Sequence, residues 1–369
     1  MKKLWVVVFA FVISISNASG ADQVSVGETV ILNQLYHDAL AEGGALTVYA
    51  GGDTANAWDG VVARFQQRFP GVKIAIITDL SKFHDARIDN QIARDRLSVD
   101  VAHLQTLQDF PRWKREGALL RYVPPIGWRN IPVDLKDPEG YYTGIGIFSL
   151  GYVVNPTLVP AGEVPRTARD LLQPRFKGKI VLTYPNDDDA ALFIFHQIVQ
   201  QYGWAYLDDL IAQRPYFRRG SVGAGQDVAS GKYAVSLDAW WPLKAPAGST
   251  ARYVTPQDTF MTWPQTAAIF KNTRHPATAK LYVNWLLSRE FQSSDLTTQW
   301  PIRNDVAPAA GYQPIWTYRN TDPAAFARFM SDRAEVERFR AQLTLYVGEV
   351  QGPNPTGVGG LLPSASGSR

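Results

Sequence analysis

Asp238-Ala239-Trp240-Trp241 places one carboxylate beside two adjacent indoles. An indole offers a π face and a single N–H donor, with no lone pair for a metal. Trp240 and Trp241 therefore suit stacking on a flat ligand or facing a cation, worth roughly 0.5–2 kcal/mol per good contact, and Asp238 would add charge complementarity. Because adjacent residues of a strand point to opposite sides, one indole is expected to wall a cleft and the other to pack.

Four further stretches could contact a ligand. Gly51-Gly52-Asp53-Thr54 follows an apolar run, so its free backbone N–H groups and small hydroxyl could meet an acceptor; Asp53 or Thr54 could equally cap the next helix. Gln105 can both donate and accept after a short strand. Pro185-Asn186-Asp187-Asp188-Asp189 opens a helix, where acids cap and compensate the dipole, and the three acids, Asp187 first among them, could also make a cleft rim acidic. Gly223-Ala224-Gly225-Gln226 reads as a turn that either contacts ligand through Gly225 or merely turns. Tyr141 and Tyr142 add two phenols, which at an ordinary pKa near 10 would need strong help to ionise and bind metal.

Catalytic patterns are missing from the sequence. His37, His84, His103, His196 and His275 form no His-x-x-x-His pair, and neither a Gly-x-Ser-x-Gly elbow nor a phosphate-binding Gly-Lys-Ser/Thr loop occurs. Of the five, only His84 and His103 fall near the expected cleft loops. With no cysteine, disulfides, thiolate metal sites and thiol nucleophiles are excluded. The formal net charge is only +3, from 37 basic and 34 acidic residues, which gives no reason to expect nucleic acid.

The elements that would position these residues follow from periodicity. Strands are expected over residues 45–50, 72–77, 99–104, 180–183 and 234–237, with two short runs between 142 and 155. Helical spacing marks residues 58–69, 88–97, 168–172, 190–202, 276–287 and 335–345. Strands alternating with helices imply parallel sheets covered on both faces, and a chain of 369 residues has room for two such lobes. Lys2 and Lys3, the apolar run from Leu4 to Ile15 and the small residues up to Ala21 read as a cleavable export signal, cut after Ala18 or Ala21.

Three stretches resemble the extracellular solute-binding proteins of ABC importers, in particular the group that includes ferric-iron binders. They are Leu46-Thr-Val-Tyr-Ala-Gly-Gly52 with Arg68-Phe-Pro-Gly-Val72, Arg166-Thr-Ala-Arg-Asp-Leu-Leu172 with Phe176-Lys-Gly-Lys-Ile180, and Ala267-Ala-Ile-Phe-Lys271 with the helix from His275 to Ser288. The resemblance implies an α/β fold of two doubly wound lobes joined by crossing hinge segments, the type II periplasmic binding protein arrangement, closing over a ligand beyond the strand ends. It implies a periplasmic or secreted monomer that captures a small molecule and delivers it to ABC permease subunits, with no cofactor and no enzymatic activity. A secreted hydrolase or lyase built on the same fold is the alternative.

The expected layout is an export signal at 1–21, a first lobe at 22–105 plus 265–300, a second lobe at 106–264 plus 301–350, and a flexible tail at 351–369. In the ferric-iron members two adjacent tyrosines supply phenolates where this chain has Trp240 and Trp241. An organic ligand, cationic or ring-containing, is therefore expected ahead of iron, while the backbone turns would also suit an anion such as a phosphate ester, and the sequence does not choose between the two. The expected contacts are Gly52, Asp53, Thr54, Gln105, Tyr142, Asp187, Gly225, Asp238, Trp240 and Trp241.

Overall fold

The computed structural model describes residues 20–363, so the expected export signal lies almost wholly outside the described residues. The first lobe is built on a five-stranded sheet in the order β2-β1-β3-β10-β4. Its strands are β1 (Ala45–Gly51), β2 (Lys73–Asp79), β3 (Val101–Leu104), β4 (Thr143–Phe148) and β10 (Trp263–Ile269). β1 pairs in parallel with β2 and β3, whereas β10 runs antiparallel to both β3 and β4.

The second lobe contains β5 (Gly151–Val154), β6 (Val181–Thr183), β7 (Tyr216–Arg218), β8 (Val235–Ala239) and β9 (Arg252–Val254). β6 and β7 are parallel, β5 lies antiparallel between β8 and β9, and a parallel bridge from Ile180 to Val235 joins the two groups. The resulting order, β7-β6-β8-β5-β9, repeats the pattern of the first sheet. In each lobe the one antiparallel strand is the one that has just crossed from the other lobe.

Helices cover both faces. One face of the first sheet carries α1 (Gly20–Ala41), α2 (Asp59–Arg68), α8 (Pro276–Leu287) and α9 (Arg289–Gln292), with Phe65 and Trp285 edge-on at 5.2 Å among buried residues. The α2 stripe of Val61 and Phe65 is buried, as its spacing requires, and the chain turns beyond it at Gly71 with φ of 88°. α8 starts with Pro276, and the Glu42 carboxylate, just past α1, accepts from the N–H groups of Ala277 and Thr278 at 2.9 and 3.0 Å. The opposite face carries α3 (Ser81–Ala93) and α4 (Asp109–Arg115), burying Ile88, Phe110 and Trp113 against Tyr49 and Ile77. α5 (Asp189–Tyr202), α6 (Ala205–Ala212), α7 (Ser221–Ala229), α10 (Ala325–Ser331) and α11 (Arg333–Val347) enclose the second sheet.

Four expectations change. The sheets are mixed, because the crossing strands β5 and β10 enter antiparallel. β4 belongs to the first sheet, so the chain leaves that lobe at Ser149 and not near residue 105. α3 begins at Ser81, well before the expected Ile88, and ends beside Asp95, whose φ of 52° breaks the helix. α1 had no counterpart in the sequence reading.

The tail is also not free along its described length. Its Gly- and Pro-rich composition builds no core of its own, but α3 and the end of β2 bury polar groups that need partners. The fully buried Asp79 pairs with Arg87 at 2.6 Å, and its Oδ1 accepts from Asn354 Nδ2 at 2.9 Å and Thr356 Oγ1 at 2.7 Å. Arg87 and Gln91 donate to the carbonyls of Gly360 and Leu361 at 2.8 and 2.7 Å. Upstream, Asn186 and Arg219 of the second lobe donate to the carbonyls of Gly348 and Gly352 at 2.9 and 3.2 Å. The segment thus runs from the second lobe onto the first. Replacing Thr356 by Val together with Asn354 by Ala should destabilise the protein by about 1–3 kcal/mol in urea unfolding, the cost of leaving a buried carboxylate short of donors, while Gln351→Ala, on the exposed stretch, changes nothing measurable.

Candidate functional site

Three crossing segments meet at Ser149. Its N–H donates to Gln299 Oε1 at 2.5 Å, its hydroxyl donates to the Met261 carbonyl at 2.8 Å, and Gln299 Nε2 returns to the carbonyls of Ser149 and Trp241 at 3.0 and 2.9 Å. These buried bonds tie β4–β5, the approach to β10 and the segment after α9 into one hinge. Beside the hinge lies a cavity of about 320 Å³ between the lobes.

The first lobe supplies the loops after its parallel strands: Gly51 to Thr54 after β1, Leu80 and Ser81 after β2, and Gln105 after β3. The second lobe supplies Asp188 at the start of α5, Ser221 and Val222 at the start of α7, and Trp240 after β8. Phe148, Leu150 and Trp263 of the crossings form the back, with Trp58 and Leu296 at the side. Both lobes therefore present the carboxyl ends of their parallel strands to one space, the place where open α/β sheets bind ligands. Among the described residues that line it none is Lys or Arg, whereas Asp53, Asp188 and Asp295 all do.

Of the expected contacts, Gly52, Asp53, Thr54, Gln105 and Trp240 come together around this cavity. Gly52 is needed for close approach, since a Cβ there would stand 2.8 Å from Thr78 Cγ2. Trp240 walls the cavity while Trp241 is buried, its indole N–H donating to the Ala251 carbonyl at 3.2 Å. This is the split that strand alternation requires.

Four expected contacts stand elsewhere. Asp187 sits between the lobes outside the lining, held by Lys82 Nζ at 2.5 Å and Arg219 Nε at 2.7 Å. Burial pushes its carboxyl up, but Arg219 and Lys82 outweigh that and hold it below the ordinary carboxylate value. Asp238 lies inside β8, fully buried, accepting from the Thr183 N–H at 3.1 Å and Ser236 Oγ at 3.0 Å, with burial pushing its pKa up to about 8. Gly225 is in the middle of α7 and not in a turn. A Cβ there would meet the Trp240 carbonyl at 2.5 Å, so the glycine lets the helix rest on the end of β8. Tyr142 precedes β4, which runs in the same sense as β1, so it lies about 20 Å back along the strand from the cleft end and packs on Phe110 at 5.8 Å.

Asp188 brings the expected acidic run to the cavity, whereas Trp58, Phe148 and Trp263 line it without having been singled out from the sequence. Trp58 belonged to the helical stripe of α2, and its indole in fact donates to the Gly51 carbonyl at 3.1 Å, fixing the ring beside the glycine turn. Trp263 follows the strand rule: it shares the cavity with Gln265, two residues on, while Pro264 and Thr266 point to the other face of β10 and line a separate hollow.

Charge at the site is unusual. Asp53 Oδ2 accepts from Ser221 Oγ at 3.0 Å and the Val222 N–H at 3.1 Å, bridging the lobes. Burial raises its pKa against the pull of these bonds. Asp188 caps α5 by accepting from the N–H groups of Ala190 and Ala191 at 2.7 and 3.1 Å, and burial followed by the charge of Asp53 pushes it up to about 7. His84 and His103 are both fully buried in the first lobe and line no part of the cavity; burial pulls them down to about 4 and about 3.

The sequence profile of the bacterial extracellular solute-binding protein family matches residues 109–309, more than half of the chain. The protein belongs to that family. It is 22% identical over 250 residues to the phosphoglycerate transport regulatory protein PgtC of Salmonella typhimurium, a match covering 65% of this chain and 60% of that protein. The chain thus spans about 60% of the length of this curated relative. Its fold is that of periplasmic binding proteins. Iron-bound HitA from Pseudomonas aeruginosa superposes with a TM-score of 0.64 at 18% identity, covering 81% of this chain and 99% of HitA. AfuA from Actinobacillus pleuropneumoniae, with fructose-6-phosphate bound, gives 0.66 at 21% identity, covering 82% and 98%. The substrate-binding protein of an ABC transporter from Agrobacterium tumefaciens gives 0.69 at 14% identity, covering 83% and 94%.

The shifted groups fix a direction for stability with pH. Asp188 and Asp238 hold protons in the folded state up to about 7 and about 8 that they lose near 3.8 when unfolded, so their contribution fades as pH rises through the folded values. His84 and His103 act oppositely, but only below their unfolded value of 6.5. Between these limits the acids stand alone. Urea unfolding should therefore show stability falling from pH 6.5 to pH 8.5, with Asp85, also pushed up to about 8, adding to the fall, and a rise over that interval would contradict the raised values of these acids.

Proposed function

We propose that the protein is an exported receptor, acting as a monomer, that closes its two lobes over a small organic solute and presents it to an ABC-type permease. The observation that carries this reading is the interlobe cavity itself, walled by Trp58, Trp240, Trp263 and Phe148 and edged by carboxylates without a cation. Aromatic walls bury a planar or apolar body and can face a positive charge, whereas a metal wants charged oxygen or nitrogen donors grouped around it. Among the described residues no group of three His, Cys, Asp or Glu is placed to hold a metal ion. Ligand contacts from both lobes favour the closed arrangement over the open one, which gives a permease a closed, loaded form to recognise.

A thermal-shift panel of ferric iron, phosphate esters, polyamines and thiamine-like ring cations tests the assignment. A bound solute at 100 times its Kd adds about 2.7 kcal/mol of stability. Stabilisation is expected from an organic member of the panel, and Trp240→Ala should weaken that binding by roughly 2- to 30-fold in a fluorescence titration, the range of one aromatic contact. Stabilisation by iron alone, or a titration indifferent to Trp240, would overturn the reading.

A further inference from the structure

We infer that Asp53 sets the charge class of the solute: it is a built-in anion, carried by one lobe into the start of a helix on the other, and it reserves the cleft for neutral or cationic ligands. The inference rests on the cavity being the solute site, as proposed above.

Four features around the cleft could receive an anionic group, and each is already occupied by a carboxylate of the chain. The nine-residue helix α7 points its N-terminus at the cavity, and Asp53 Oδ2 takes both Ser221 Oγ and the Val222 N–H there. The approach is close. Gly220, with φ of 85°, leaves only 3.2 Å between its missing Cβ position and that same oxygen. The N-terminus of α5 is capped by Asp188. Lys82, next to the lining Ser81, and Arg219, two residues before the lining Ser221, both bind Asp187.

An entering phosphate or carboxylate would find the partial positive charges neutralised, the buried Asp53 carboxylate within the lining, and the half-buried Asp188 capping α5 beside it. An ammonium or iminium group would find the opposite. Asp53 keeps only 8% of its exposure, on the cavity side, so a cation lodged beside it supplies a counter-charge. Trp240 and Trp58 supply π faces to the same space.

Two ligands of similar size and opposite charge separate the possibilities. Benzylammonium and phenyl phosphate, titrated calorimetrically into the full chain, should differ by roughly tenfold or more in favour of the cation, and Asp53→Ala should lose that preference and gain at least tenfold for phenyl phosphate. Asp53→Asn, which keeps an oxygen for the Val222 N–H but removes the charge, should lose the cation without gaining the anion to the same extent. Equal or tighter binding of phenyl phosphate by the unaltered protein overturns the inference, whether or not the variants fold. So does a folded Asp53→Ala variant with unchanged preference. The underlying site reading fails separately: Trp240→Ala leaving both titrations unchanged would place the binding elsewhere, whatever its charge preference.

Discussion

A carboxylate removed from water must find donors, and the lobe interface is arranged around three that have done so. Asp53 takes its donors from the opposite lobe, Asp187 takes a cation from each lobe, and Asp188 takes the first N–H groups of its own helix. Each would be costly if left alone at its depth. The closed arrangement is thus specified by polar bonds with fixed directions, leaving the aromatic side chains to shape the space between. Because the donors at two helix starts are used in this way, the cavity inherits the sign of the carboxylates and not that of the helix dipoles.

The hinge works by a different principle. Ser149 and Gln299 satisfy backbone groups of several crossing segments at once, so these segments are held in fixed relation. The alternation of β10 carries the consequence into the cleft. Trp263 and Gln265 face the cavity, and their neighbours Pro264 and Thr266 face away, so this one strand lines a hollow on each side of the sheet.

Local grammar was readable in the sequence wherever an element is fixed by its own residues. The β1 turn, the α2 stripe and the Pro276 start of α8 follow from side-chain spacing and from glycine and proline chemistry, and so does the division of labour between Trp240 and Trp241. What escaped depends on distant partners. β4 joins β10 across more than a hundred residues of sequence, and no periodicity announces that pairing. The Gly223-Ala224-Gly225 run has turn composition, yet it stands in a helix, and its glycines serve packing: Gly225 leaves room for the Trp240 carbonyl and the Trp241 ring. Asp238 has the chemistry of a ligand contact, but β8 carries it inward to Thr183. The tail likewise borrows its order from Asp79, Arg87 and Gln91.

That last attachment changes the mechanics of the whole molecule. A two-lobed receptor held only along its crossing strands can swing wide, but here the far edge of the first sheet, where β2 ends, is moored to the second lobe by the chain between Gly348 and Leu361. Such a mooring keeps the two jaws at a high local concentration of one another, as a short linker does for two binding modules. Its bonds must be broken, or its slack taken up, before the jaws part fully. On the proposed reading, release of a solute would need this short surface strap to let go as well as the pocket.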